Sequence, residues 1–150
     1  MFATSVVLIA LAVCVGALPP LQAGINATIS GYHGHPLWGA FTNTVVATLT
    51  LGVAILILRV PLVDLRALAQ APAWSWVGGV LGATMVFSAI MIAPRLGAAT
   101  YVSAMVVGTV TASMLIDHFG LVGFKPHPLG IQRLLGGVLV VLGMLLVQSE

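Results

Sequence analysis

Apolar residues run through this chain in five long blocks, and the short stretches between them hold nearly all of its ionisable groups. No Asp, Glu, Lys or Arg occurs in residues 1–58, 67–94, 96–116 or 134–149. An apolar stretch of about 18 residues or more with few charges reads as a membrane span. The pattern predicts helices at about 3–29, 36–58, 74–93, 98–119 and 131–147, and one five-helix transmembrane domain over 1–150. At about 1.5 Å per residue such helices cross a hydrocarbon core of roughly 30 Å.

Proline and glycine punctuate this pattern. Pro19 and Pro20 interrupt the first span. Pro61, Asp64, Arg66 and Pro72 mark residues 59–73 as an interfacial loop with one amphipathic turn. Pro94-Arg95-Leu96-Gly97 reads as a tight connection. Gly120, Gly123, Pro126 and Pro128 make a turn-rich loop over 120–130.

Composition supports this reading. Hydrophobic residues are 60% of the chain and charged residues 5%, whereas a soluble domain is about a quarter charged. The net charge of +2 rests on five scattered basic residues, which do not form a nucleic-acid footprint. The start, MFATSVVLIA, lacks the positive region of a cleaved signal peptide. Cys14 is alone and reads as a small packed hydrophobe. Five spans put the termini on opposite sides. Arg59, Arg66, Lys125 and Arg133 share the side of the N-terminus, and Arg95 is alone opposite. The positive-inside rule then predicts the N-terminus in and the C-terminus out. Trp38, Trp74 and Trp76 fall near span ends, as an aromatic belt requires.

Four stretches carry a family resemblance: GALPPLQAGINATI at 16–29, APRLGAAT at 93–100, LIDHFGL at 115–121 and PLGIQRLLGGVLVVLGMLLV at 128–147. With these, the chain resembles the small single-repeat, YdcZ-like branch of the drug/metabolite transporter superfamily over nearly its whole length. The resemblance implies a five-helix half-transporter repeat integral to the bacterial inner membrane. Larger superfamily members carry two such repeats in inverted orientation, so a small member is expected to pair, ideally as an antiparallel homodimer. The four-to-one basic bias makes a paired homologous chain of opposite orientation the other option. The resemblance names no substrate.

The first span carries the main candidate chemistry. Without N–H groups, Pro19 and Pro20 leave the Val15 and Gly16 carbonyls without helical donors. In a bilayer such carbonyls must meet protein or a wet cavity. Gln22 and Asn26 follow at i and i+4 on one face. This is a helix break with amides, the form of many transporter sites; the same residues also suit a kink held by interhelical hydrogen bonds. Asn43 is the candidate from the second span, Ser88 from the third. Tyr101, seven residues before Gly108, either lines a cavity or anchors at the interface. The threonines of the second span can bond back to their own helix. Gly78 with Gly82, and Gly136 with Gly143, read as packing faces.

No carboxylate lies mid-span, which argues against a cation antiporter built on a membrane-buried glutamate. Asp117 ends the fourth span and is placed to pair with Lys125 or Arg133; Arg95 reads as a snorkelling anchor. His33 and His35 read as solvated loop residues, two ligands being too few for a tight metal site. No catalytic set or cofactor motif is visible. The expectation is a non-enzymatic transporter of a small neutral or amphiphilic organic solute, using alternating access, with its cavity at the dimer interface and membrane lipid around it. The alternative is a non-transporting assembly or scaffold subunit of a larger complex.

Overall fold

The computed structural model describes residues 2–61 and 63–149. The described residues are helical with short turns: α1 (Phe2–Gly16), α2 (Leu18–His33), α3 (Pro36–Ile57), α4 (Leu65–Ala69), α5 (Val77–Leu96), α6 (Ala98–Phe119) and α7 (Ile131–Gln148). Five segments are long and apolar enough to cross a membrane: Val6–His33, Pro36–Ile57, Ala73–Leu96, Ala98–Phe119 and Ile131–Gln148. By backbone contacts the chain forms two compact units, Met1–Pro94 and Arg95–Glu150.

In the first unit, the first span is two helices that meet at Ala17, whose N–H donates to the Cys14 carbonyl at 3.2 Å. Pro19 and Pro20 fall in the opening turn of α2. Proline is tolerated there because first-turn N–H groups have no helical acceptor to lose. The helix does not stop at Ile29 but continues to His33, where Gly34 takes a left-handed conformation (φ 74°) and caps it. His35 is extended, and Pro36 opens α3 only two residues later.

The end of α3 closes with the paired bonds of a Schellman turn. Val60 N–H donates to Ile55 at 3.0 Å and Arg59 N–H to Leu56 at 3.2 Å, with Arg59 at φ 50° where glycine is usual. In the following loop Asp64 accepts from the Arg66 N–H at 2.9 Å and starts the single turn of α4. A 3-10 turn, Ala73–Trp76, leads into α5. That helix runs through Pro94 to Leu96, past the expected end near Ala93. A proline in the last turn removes one donor, the one owed to Ile90, and leaves two more residues room to finish the turn.

In the second unit, Gly97 (φ 83°) is the whole connection into α6, and its carbonyl receives the first helical bond, from Tyr101 N–H at 3.0 Å. α6 packs on α7. Gly137 on α7 lies against the Met114 side chain.

The sorting of side chains is that of a lipid-facing protein. Large apolar residues such as Leu21, Leu49, Val80 and Leu139 are more than 60% exposed, while the buried set includes Ala23, Ala40, Ala93, Asn26 and Ser30. Lipid solvates leucine as well as a protein core does. Helices therefore approach through small and polar residues, where close contact and hydrogen bonds are available.

Candidate functional site

The site is built on the α2–α3 hairpin. Its turn is held at both ends: Gly34 caps α2, and His35 Nδ1 accepts from the Leu37 N–H at 3.2 Å to cap α3. The two-residue turn sets the register in which the helices return on each other. Ala23, Asn26 and Ser30, spaced by three and four, form the buried stripe of α2; Gly39 and Ala40 are buried on α3. The approach is close. A Cβ on Gly39 would sit 2.7 Å from the Asn26 carbonyl oxygen. Ser30 Oγ donates back to that same carbonyl at 2.8 Å.

One turn deeper, the register brings three amides together. Gln22 Nε2 donates to Asn43 Oδ1 at 3.0 Å. Both residues, with Asn26, Leu18, Leu21 and Ile25, line an open cleft of about 460 Å³. Asn26 is 3% exposed. Its carboxamide has no hydrogen-bond partner among the described residues, although no fully buried side-chain atom is left unsatisfied. The Asn26 amide thus meets the outside through the cleft. The helix break lies directly upstream, with Leu18 lining the cleft and the prolines following it.

The other candidates are not among the residues that line this cleft. Ser88 is half-buried on α5 and is not among its lining residues. Tyr101 belongs to the second unit, where it is 6% exposed. Thr44, Thr48 and Thr50 donate to the carbonyls of Ala40, Thr44 and Val46, so their hydroxyl protons are spent within α3. Among the described residues no group of three or more His, Cys, Asp or Glu could hold a metal ion.

The second unit explains a motif whose role the sequence left open. Arg133 Nη1 meets Asp117 Oδ2 at 3.1 Å, so arginine rather than Lys125 is the partner of Asp117. The Asp117 carbonyl accepts from His127 N–H at 2.7 Å, and His118 Nδ1 from Leu129 N–H at 3.4 Å. Gly120 is left-handed (φ 62°), and a Cβ there would lie 2.6 Å from Pro126 Cγ. LIDHFGL therefore ties the α6–α7 loop to the end of α6. His35, an exposed turn residue, also caps α3, and its position just before Pro36 is the sequence signal for that role.

The model of the family described as "Putative inner membrane exporter, YdcZ" matches residues 7–146. The chain belongs to this family. Comparisons with curated proteins and with solved structures return no match. Family and helices together make this an integral membrane protein with a role in membrane transport. The α2–α3 cleft lies wholly within the matched YdcZ region.

Proposed function

We propose that the protein exports a small neutral or amphiphilic organic solute by alternating access, and that the α2–α3 cleft supplies its solute contacts. The observation that carries this reading is the Asn26 carboxamide, in a residue nearly buried yet without a side-chain partner among the described residues, in a cleft otherwise lined by leucine, isoleucine and the Gln22–Asn43 amide pair. A polar group withdrawn from water is usually paired; one left open toward a cleft is suited to a ligand. The amide offers both a donor and an acceptor. With no ionisable group lining the cleft, a charged solute would lose its hydration without compensation. Leu18, Leu21 and Ile25 suit an apolar body.

One chain of five spans is half of the usual inverted-repeat transporter. In this proposal a second chain of opposite orientation, another copy or a homologue, completes the transport path, and the two rock about a site near the bilayer midplane. The N-terminus and the loops containing Arg59 and Lys125 face the cytoplasm in the favoured orientation.

Solute flux into or out of proteoliposomes tests the reading, with a panel of neutral and amphiphilic compounds. The expected result is saturable flux whose half-saturation concentration rises about fivefold or more in Asn26→Leu, the worth of roughly one net hydrogen bond. Unaltered flux in a folded Asn26→Leu protein would remove the cleft from the mechanism. Absence of flux for the whole panel, with a stable complex to another membrane protein, would favour the scaffold reading.

A further inference from the structure

We infer that the α2–α3 cleft selects solutes whose polar end is a neutral carboxamide, an N–H beside a C=O, carried on a short apolar body. The class rests on the cleft reading above, and its test is one of binding rather than flux.

Three carboxamides line the cleft, and their hydrogen bonds are unevenly shared. Gln22 stands one turn before Asn26 on α2, the spacing at which two side-chain amides can bond each other. It bonds across to Asn43 instead, Nε2 to Oδ1 at 3.0 Å. Ser30 Oγ donates to the Asn26 main-chain carbonyl at 2.8 Å and leaves the side chain alone. Thr44, beside Asn43 on α3, gives its proton to the Ala40 carbonyl. The Asn26 carboxamide thus keeps both its oxygen and its NH2 without a partner among the described residues, in a residue only 3% exposed. A polar group so placed costs free energy until something pairs with it.

The shape of the amide sets what pairs best. Its donor and acceptor sit side by side in one rigid plane. A ligand that offers an acceptor and a donor in the same way makes two parallel bonds with it, as asparagine does with the edge of adenine. A ketone, ester or ether supplies only the acceptor and leaves the Asn26 oxygen unpaired. A hydroxyl is a single atom and does not span both positions. A carboxylate or ammonium brings charge to a cleft with no ionisable side chain to balance it. The Gln22–Asn43 bond uses one donor and one acceptor, so Gln22 Oε1 and Asn43 Nδ2 keep their capacity. The polar end of the cleft is therefore neutral and offers both kinds of partner.

The apolar body has its own track. Leu18, Leu21 and Ile25 are spaced by three and four on α2, so they form a stripe beside that of Gln22 and Asn26. All three are more than half exposed. The stripe runs about 10 Å along the helix, which suits a short alkyl chain or a ring rather than a lipid acyl chain. The cleft volume of about 460 Å³ falls within the roughly 300–1,000 Å³ of small-molecule sites.

Hexanamide and 2-heptanone test this, because they share the alkyl body and the carbonyl and differ only in NH2 against CH3. Each is titrated at matched membrane concentration into the protein in nanodiscs, with occupancy read from the Ile25 methyl resonances. Hexanamide is expected to half-saturate at a concentration about fivefold or more below that of 2-heptanone, the worth of roughly one net hydrogen bond. In a folded Asn26→Leu protein that ratio should fall towards one while 2-heptanone binding holds. Equal affinity for the two probes in the wild-type protein overturns the inference, as does no saturable hexanamide binding, or a ratio that persists in Asn26→Leu. The wild-type comparison stands even where the variant does not fold. Amide-selective binding without flux would remove the transport reading and leave the carboxamide site. Flux indifferent to the head group would keep the transport reading and remove this inference.

Discussion

Gly39→Ala tests whether the two site helices approach as closely as the structure requires. Alanine is a better helix former than glycine, by up to about 1 kcal/mol in an exposed helix interior. At Gly39 that gain meets a steric cost. The added methyl would lie 2.7 Å from the Asn26 carbonyl oxygen and 3.1 Å from Ser30 Cβ, with Ser30 Oγ closer still. The serine can rotate; the carbonyl belongs to the backbone of α2 and cannot. Overpacking of this kind costs about 1–3 kcal/mol, so the net expectation is a loss of up to about 2 kcal/mol once a helix gain of about 1 kcal/mol is subtracted. Gly52, on the same helix, has nothing within 4 Å of its hypothetical Cβ. Gly52→Ala should therefore be neutral or slightly stabilising. Ser30→Gly combined with Gly39→Ala removes the serine contacts but leaves the carbonyl contact, so rescue should be partial, with a coupling of about 0.5 kcal/mol or more. Equilibrium unfolding in mixed micelles, followed by circular dichroism, reads these three variants and the Ser30→Gly single that the coupling requires. If Gly39→Ala is as stable as Gly52→Ala, the helices are not in backbone contact, and the register that pairs Gln22 with Asn43 loses its support.

Other expectations follow from the same geometry. Gly120→Ala introduces both a left-handed alanine and a methyl 2.6 Å from Pro126 Cγ; it should cost about 1–3 kcal/mol in the same unfolding assay. Arg59→Gly relieves a non-glycine residue at φ 50° and should stabilise the end of α3 by about 1 kcal/mol, while labelling of an introduced loop cysteine should show a weaker preference for one orientation as the basic bias falls. Asp117→Asn breaks a half-exposed ion pair, and unfolding should shift by no more than about 1 kcal/mol. Cysteine cross-linking of assembled chains should join a residue near Lys125 on one copy to the opposite end of its partner; exclusive parallel cross-links would refute the paired-inverted arrangement.

The spans were legible because lipid imposes a length and forbids charge, and both constraints are written in single residues: Arg59 closes the second, Arg95 the third, Arg133 opens the fifth. The helix ends were less so. Ser30, Gly31 and Tyr32 look like a loop, yet they stay helical because the left-handed stop is Gly34. Part of the candidate cleft was readable as a face, since Gln22 and Asn26 stand at i and i+4, although such amides serve interhelical bonding as well as ligand contact. What the sequence could not express was register. Whether Asn43 meets Gln22, and whether Asn26 is spent or free, depends on where α3 returns along α2. That is decided by two turn residues and one glycine contact, Gly34, His35 and Gly39, none of which carries a distinctive chemistry of its own. That register is held close to the amide pair, where Ser30 Oγ bonds the Asn26 carbonyl and a Cβ on Gly39 would meet the same oxygen.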